Sequence, residues 1–440
     1  MKKLNLLLPV FVLFFITSCS EDCETVCNQG EVLTNDCECL VVDACAGIVC
    51  ADDEILTADC DCVDSAANLP EIISGEISAS TTWTSDKIYE LANKVVVPSG
   101  VTLTIEPGTI IKGREGSGSS ATALVVAKGG KIEACGTAAN PIVFTSVLDN
   151  ISQGQSAGTN LNQTQVGLWG GLIILGNAPS SFEGDPTELQ IEGIPADDTF
   201  GLYGGTDADD NSGSLCYVSV RHGGALIGSD NEINGITLGG VGRGTTINHV
   251  EVVANKDDGI EFFGGTVNVN NAIVWAQGDD AFDVDQAYSG TLDNYVSIAG
   301  PDSDHSLEID GPEGTATGRF TFTNGTHKGN ASEYADFRKA SMGTVSNTYF
   351  FNFPEDADFE IDDDASSSNV VNGLLEFSNL EFNTTKTISE ICLDKASNGN
   401  QASFTAYIES NATVVSTPTV GANTSVFDWT YTAQKNALDF

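Results

Sequence analysis

Acidic residues recur at near-constant intervals through the middle of the chain, and side chains of this type bind cations or transfer protons. Glu261, Asp283 and Glu308 each lie inside a short apolar segment, and these segments repeat every 22 to 25 residues. If the segments are stacked strands, the residue between two inward apolar residues points outward, so the carboxylates form a column. Stacked like charges repel each other. Such a column persists when water screens it, when a cation bridges it, or when a raised pKa makes one member a catalytic acid.

The same alignment predicts which residues face inward and which form two outward columns. The predicted inward residues are Ile260, Phe262, Phe282, Val284, Leu307, Ile309, Phe359 and Ile361. The first outward column is predicted as Glu261, Asp283, Glu308, Arg338 and Glu360, and the second as Phe263, Asp285, Asp310, Ala340 and Asp362. Oxygen ligands at this density suit Ca²⁺. The candidate calcium ligands are therefore Glu261, Asp283, Asp285, Glu308 and Asp310, with a merely solvated acidic face and a catalytic face as the alternatives.

Positioning these side chains requires a repetitive all-β framework. From about residue 71 onward, short apolar runs such as Val101–Ile105 and Pro141–Phe144 alternate with Gly, Asn and Asp, and no convincing amphipathic helix is visible. A period of 22 to 25 residues fits one coil of a three-sheet parallel β-helix. A solenoid also accommodates about 370 residues without one oversized core, because each coil contacts only its neighbours.

Several segments resemble a family of secreted right-handed parallel β-helix proteins with the pectate-lyase-like fold, found in Bacteroidota and marine bacteria. These segments are Val101–Thr109, Gly129–Glu133, Asn140–Ser146, Trp169–Gly176, Arg221–Gly224, Asn255–Gly265, Asp279–Asp283 and Phe427–Thr430. The resemblance spans roughly residues 95–440 and implies the pectate-lyase-like fold, and the β-helix domain as a whole is predicted at residues 71–440. It implies little about activity, because that family is mostly uncharacterised.

A partial resemblance to polygalacturonases, which share this fold, implies a catalytic alternative. Four short motifs fall in the polygalacturonase order: Asn255-Lys-Asp-Asp258, Gly278-Asp-Asp280, Asp304-His-Ser306 and Arg338-Lys339. By this resemblance Asp280 is the general acid, Asp258 and Asp279 activate water, His305 orients, and Arg338 with its neighbouring lysine binds a uronate. The glycines around the family's histidine are missing here, and its Arg-x-Lys spacing is contracted. Both departures put the catalytic interpretation in doubt.

The N-terminus predicts export and lipid attachment. Two lysines precede the apolar run Leu4–Phe15, which is too short to span a bilayer and ends in Ile-Thr-Ser-Cys. This pattern matches a bacterial lipobox, so residues 1–18 are predicted to be a signal peptide and Cys19 the lipidated residue. The acidic residues in 19–22 resemble the tag that directs Bacteroidota lipoproteins to the outer face of the outer membrane. The expected location is therefore the cell surface.

Residues 23–62 contain a tandem cysteine-rich repeat. Dense cysteines in an exported segment indicate disulfides, and the repeat looks like two truncated EGF-like modules before a linker at 63–70. The predicted disulfide cysteines of the repeat are Cys23, Cys27, Cys37, Cys39, Cys45, Cys50, Cys60 and Cys62. Farther along, Cys135 and Cys216 have similar surroundings and are predicted to pair across stacked coils, which leaves Cys392 as a buried thiol.

The charge balance narrows the range of partners. The chain has 62 acidic and 18 basic residues, a formal net charge of −44, and such a chain should repel nucleic acid. Three functions remain open. The preferred interpretation is a surface lipoprotein whose β-helix binds a glycan or a partner protein, stabilised by calcium. The alternatives are a polysaccharide-degrading hydrolase or lyase and a structural envelope protein.

Overall fold

The computed structural model describes residues 69–195, 198–226 and 232–440, and the backbone of four short strands nearer the N-terminus. The chain divides into two units, Met1–Leu69 and Pro70–Phe440. The first unit contains two antiparallel pairs, β1 (Glu31–Leu33) with β2 (Cys39–Val41) and β3 (Glu54–Leu56) with β4 (Cys62–Asp64). One pair lies in each predicted repeat. The signal peptide, the lipidated Cys19 and the disulfides of residues 23–62 concern residues or side chains outside the described part.

The second unit is a right-handed parallel β-helix made of three parallel sheets. Sheet A contains the end of β7 (Ile88–Val97), β10 (Leu124–Val126), β13 (Leu172–Leu175), β17 (Ile236–Gly239), β19 (Ile260–Phe263), β21 (Phe282–Asp285), β23 (Leu307–Asp310), β25 (Ala335–Arg338), β27 (Phe359–Ile361) and β29 (Cys392–Asp394). Sheet B begins with β6 (Thr81–Trp83), β8 (Thr102–Ile105) and β11 (Lys131–Cys135). Sheet C begins with β5 (Glu71–Glu76), the start of β7, β9 (Ile110–Gly113) and β12 (Ile142–Ser146), and ends with β30 (Ala412–Val414).

Seven long strands turn a corner and belong to both sheet B and sheet C. They are β16 (Gly213–Arg221), β18 (Thr246–Val253), β20 (Asn268–Trp275), β22 (Thr291–Ile298), β24 (Phe320–Lys328), β26 (Gly343–Phe351) and β28 (Leu375–Asn383). At each corner one residue has φ between +51° and +60°. Five of the seven corner residues are asparagines, which tolerate the left-handed region better than most residues. Their amides also bond from coil to coil, as Asn294 Nδ2 does to Asn271 Oδ1 at 2.7 Å.

The interior of the β-helix is one continuous apolar core. All eight predicted inward residues are at most 1 % exposed and belong to this core, which confirms the period-two alternation of sheet A. The predicted disulfide is also confirmed, since Cys135 and Cys216 lie opposite each other on β11 and β16 and are bonded. Cys392 is a buried free thiol, as predicted.

The expectation of no helix is wrong near the C-terminus. The described residues form the α-helices α1 (Asp364–Val371), α2 (Ile388–Ile391), α3 (Gln401–Asn411) and α4 (Tyr431–Gln434), and 3₁₀ turns at Gly118–Ser120 and Thr424–Phe427. Only Phe404 and Ile408 of α3 are buried, one turn apart, so its apolar stripe is too narrow to show in the sequence. The helix contacts β28, β29 and β30 and covers the last coils. No helix in the described part is long and apolar enough to cross a membrane.

Candidate functional site

The outward face of sheet A changes from apolar to acidic along the β-helix. Its first outward column begins with Val96, Val125 and Ile173, continues through Thr237, and then consists of carboxylates. We call this first outward column the strand column. Its carboxylates are Glu261, Asp283, Glu308, Asp336 and Glu360. The apolar part is covered by the excursion between β13 and β16, which includes the hairpin β14 (Leu189–Gln190) and β15 (Leu202–Tyr203). We call the carboxylate-bearing part of sheet A, with the turns that precede its strands, the acidic face.

The register of one coil differs from the sequence prediction. Asp336, and not Arg338, lies opposite Glu308 and Glu360 in the strand column. Arg338 lies two residues farther on, opposite Asp310 in the second column, where Ala340 was expected. The prediction was wrong here because the alternating segment Ala335–Arg338 has two polar positions that can each be aligned with Glu308. Phe337 is the residue that fixes the register, since it is fully buried.

A further column lies beside the strand column, in the turns that precede the strands, and we call it the turn column. It contains Asn234, Asp258, Asp280, His305 and Glu333. Its carboxylates accept backbone N–H groups from the next coil: Asp258 Oδ1 accepts from Asp280 N at 2.9 Å, and Asp280 Oδ1 from His305 N at 2.7 Å. These charge-assisted bonds tie successive coils together.

Three carboxylates from the two columns meet in one place. One oxygen each from Asp258, Glu261 and Asp283 lies within 4.8 Å of the others, and all three residues are at least nine-tenths buried. Burial first, and then the charges of neighbouring carboxylates, raise the pKa of all three well above the usual range. Asn234 donates its Nδ2 to Glu261. We call Asp258, Glu261 and Asp283 the triad.

The next coil repeats this arrangement with a histidine. One atom each from Asp280, His305 and Glu308 lies within 4.8 Å of the others. His305 Nδ1 is 2.9 Å from Asp280 Oδ1 and 3.8 Å from Glu308 Oε2. Burial lowers the pKa of His305, but the hydrogen bond and charge of Asp280 outweigh burial and raise it to about 9. The imidazole is therefore protonated at neutral pH and compensates its acidic neighbours.

Basic side chains compensate the carboxylates of the later coils. Arg338 Nε is 2.8 Å from Asp310 Oδ1 and 3.6 Å from Asp336 Oδ2, and its Nη2 pairs with Glu308. Lys339 Nζ is 2.5 Å from Asp310 Oδ2. Lys395, which sequence reasoning did not connect with this face, pairs with Asp358 and Glu360.

The structure brings most of the candidate catalytic residues onto this face. Asp258, Asp280 and His305 are neighbours in the turn column, and Asp279 lies with Asp257 and Asp258 in a further group whose oxygens are within 4.8 Å. Burial raises the pKa of Asp257 to about 7 and that of Asp279 to about 6, with nearby carboxylates adding to both shifts. Arg338 pairs with Glu308, Asp310 and Asp336, which are carboxylates of β23 and β25.

The five candidate calcium ligands also lie on the acidic face but do not form one cluster. Glu261 and Asp283 belong to the triad, Glu308 lies beside His305, and Asp310 is paired with Arg338 and Lys339. Burial and Asp310 raise the pKa of Asp285 to about 7. Sequence reasoning missed Asn234 and Asp336, although the Asn-Gly before Ile236 matches the Asp-Gly before Ile260.

Comparison with protein families agrees with this architecture. The chain matches the model of the pectate-lyase-like β-helix domain over residues 75–433. It belongs to this family. Searches of curated proteins and of solved structures gave no match. The family establishes a β-helix domain of a kind that can bind or degrade glycans, so the distinction between the two activities has to come from the acidic face itself.

Proposed function

We propose that this member of the pectate-lyase-like β-helix family is a binding module of the cell surface, whose acidic face takes a glycan or a partner protein with calcium as a stabilising ion. One observation carries the proposal. The carboxylates that a hydrolase would need as free acid and base, Asp258 and Asp280, already accept backbone N–H groups of the next coil and are buried. Residues engaged in this way build the surface and are poorly placed to exchange protons with a substrate.

The rest of the acidic face supports binding. It begins where the covering excursion ends and continues over the strands from β19 to β27, with exposed acids such as Asp302 and Asp304 at its rim. Half-exposed carboxylates accept hydrogen bonds from hydroxyl groups, and cations bridge them to acidic sugars. The compensating bases Arg338 and Lys339 are themselves partly exposed and offer donors to an anionic group.

The binding proposal is tested by titrating the full chain with a panel of neutral and acidic polysaccharides, by interferometry, with calcium and with chelator. We expect at least one polysaccharide to bind in calcium. Asp304→Asn together with Lys339→Ala should weaken that binding, whereas Glu409→Gln on α3 is the control and should not. Failure of the whole panel would turn the search to protein partners, and an undiminished double variant would remove the acidic face from the proposal.

A polysaccharide-degrading activity is the second candidate, favoured by the pair Asp257 and Asp279. Both are partly exposed, and both have pKa values raised toward neutrality, as acid–base groups require. One oxygen of each lies within 4.8 Å of the other, a spacing nearer the roughly 5–5.5 Å of retaining glycosidases than the roughly 6.5–9.5 Å of inverting ones. An assay for new reducing ends and unsaturated products decides. Cleavage that disappears in Asp279→Asn or Asp280→Asn would establish an enzyme.

The proposed location depends on Cys19. We propose that its thiol carries a diacylglycerol after residues 1–18 are removed, and that the mature protein faces outward from the outer membrane. Labelling cells with an alkyne fatty acid should mark the wild-type chain and not Cys19→Ser. Proteinase K added to intact cells should then degrade the protein, and a protected protein would place it on the periplasmic side instead.

A further inference from the structure

Positive groups of the chain itself compensate the carboxylates of the later coils of the acidic face. His305 lies between Asp280 and Glu308, Arg338 joins Asp310 to Asp336, and Lys395 pairs with Glu360. None of the ion pairs among the described residues involves Asp258, Glu261 or Asp283. Lys256, the nearest base in sequence, is instead paired with Glu232. The triad therefore gathers three carboxylates without a balancing positive charge.

A second observation, independent of the charge count, concerns one member of the triad. Asp283 is 8 % exposed, and its Oδ1 has no hydrogen-bond partner among the described residues. A buried carboxylate oxygen without a partner is costly, and native structures rarely keep one unless a water or an ion satisfies it. The other two carboxylates of the triad lie within 4.8 Å of Asp283, so a single ion can contact all three.

We propose that Asp258, Glu261 and Asp283 bind one divalent cation, with calcium preferred. The donors are all oxygens, so the site suits Ca²⁺ or Mg²⁺ better than zinc or copper. The carboxylates come from a turn and from two stacked strands, an irregular set that Ca²⁺ accommodates and the strict octahedron of Mg²⁺ does not. The ion balances the carboxylate charge of this coil, as His305 and Arg338 balance that of the coils that follow. Of the five ligands expected from sequence, two remain, and Asp258 replaces the other three.

This inference rests on the calcium part of the proposed function and does not depend on which glycan or partner the β-helix binds. A cation at the triad would connect the turn column to the strand column and join β19 to β21 at the point where the covering excursion ends. It is therefore a structural ion within the β-helix, and it is measurable in the absence of any glycan or partner.

The test is calorimetric titration of the full, chelator-treated chain with CaCl₂ and with MgCl₂, together with melting curves. We expect one Ca²⁺ per chain with a dissociation constant on the order of 10⁻⁴ M, as in extracellular calcium modules. Saturating calcium should raise the melting temperature by about 2 °C or more. Magnesium should bind more weakly.

Isosteric variants separate the triad from the rest of the face. Glu261→Gln and Asp283→Asn should each weaken calcium binding about tenfold or more, because each removes one charged ligand. They should also melt at a higher temperature than the wild type in chelator, since each removes like-charge repulsion. Asp336→Asn is the matched control. It lies in the same strand column but beside Arg338, so it should keep the wild-type calcium affinity and melt at a lower temperature.

Two results would overturn the site. One is the absence of stoichiometric calcium binding by the folded wild-type chain. The other is calcium binding that persists at wild-type affinity in both triad variants, which would locate the ion elsewhere. Either result would also remove the stabilising ion from the proposed function, but neither decides whether a polysaccharide binds. A panel without binders leaves the calcium titration unaffected, so the two failures are distinguishable.

Discussion

Glu251 and Glu261 are both buried carboxylates on outward positions of the β-helix, yet their surroundings are opposite. Glu251, on sheet C, is 0 % exposed and accepts hydrogen bonds from Ser219 Oγ, from Tyr431 N, and from the backbone and side chain of Thr432. The guanidinium of Arg221 lies 3.8 Å away. Glu261, on sheet A, has an amide from Asn234 and otherwise faces Asp258 and Asp283.

This difference shows that burial of an acid does not by itself indicate a ligand site. Glu251 is satisfied by the chain, because the C-terminal segment that carries α4 runs back across the coils and brings Tyr431 and Thr432 onto it. Its role is structural. Glu261 accepts a hydrogen bond from Asn234 but has no ion pair among the described residues, and we infer that a cation balances its charge. The two roles differ in whether the chain supplies a positive partner for the carboxylate, and not in how deeply the carboxylate is buried.

The largest expected effect is that a Glu→Gln substitution changes the free energy of unfolding in opposite directions at Glu251 and Glu261. Glu251→Gln should lower the free energy of unfolding by about 3–5 kcal/mol, because it leaves Arg221 buried without its counter-charge. Glu261→Gln, at equal burial and in chelator, should leave stability unchanged or raise it, since it removes repulsion. Urea unfolding of both variants measures the contrast. Equal losses in the two variants would mean that the carboxylates play the same structural role.

The second effect is the pH dependence of stability that two buried histidines contribute. His327 of β24 is fully buried, and burial lowers its pKa to about 3, so it is neutral in the folded chain. Its stabilising contribution is complete above the unfolded value of about 6.5 and is lost as pH falls toward 3. By pH 4 the loss should be about 3 kcal/mol. His327→Gln should lack this portion of the acid sensitivity, which unfolding curves at pH 7 and pH 4 compare directly.

A wild type and a His327→Gln variant that lose equal stability between pH 7 and pH 4 would contradict this account. His222→Gln provides a second case. Burial lowers the pKa of His222 to about 4, and its Nδ1 is 2.8 Å from Gln165 O. Its contribution to acid sensitivity should have the same sign and be smaller than that of His327.

Much of this framework could be predicted from the sequence, because strand alternation and coil period are local. The inward positions of β19, β21, β23 and β27 follow from alternating apolar residues. The Cys135–Cys216 pair follows from two similar strand contexts. The register of β25 was wrong by two residues, since Asp336 and Arg338 are both polar and only the burial of Phe337 distinguishes them.

The pairing of each carboxylate with a basic side chain or a hydrogen-bond donor could not be predicted, because it depends on which coil each of these groups reaches. Lys395 follows β29 but pairs with acids around β27, one coil back. Tyr431 and Thr432 lie 180 and 181 residues from Glu251, so no local pattern connects them. The triad itself combines a turn residue and two strand residues of different coils. A sequence alignment by strand alone therefore found Glu261 and Asp283 and omitted Asp258.

The smallest expected effect tests whether compensation can be exchanged between coils. Arg338→Gln removes the positive group from among Glu308, Asp310 and Asp336. Because Arg338 is partly exposed and Lys339 still pairs with Asp310, the loss in chelator should be only about 1–2 kcal/mol. The variant now has a second uncompensated group of carboxylates. Calcium should restore part of the lost stability, and calorimetry should detect a second, weaker calcium equivalent beside that of the triad.

If calcium stabilises Arg338→Gln no more than it stabilises the wild type, missing charge compensation is not sufficient to create a cation site. The triad would then owe its proposed affinity to the particular placement of Asp258 in the turn column, beside Glu261 and Asp283 of the strand column.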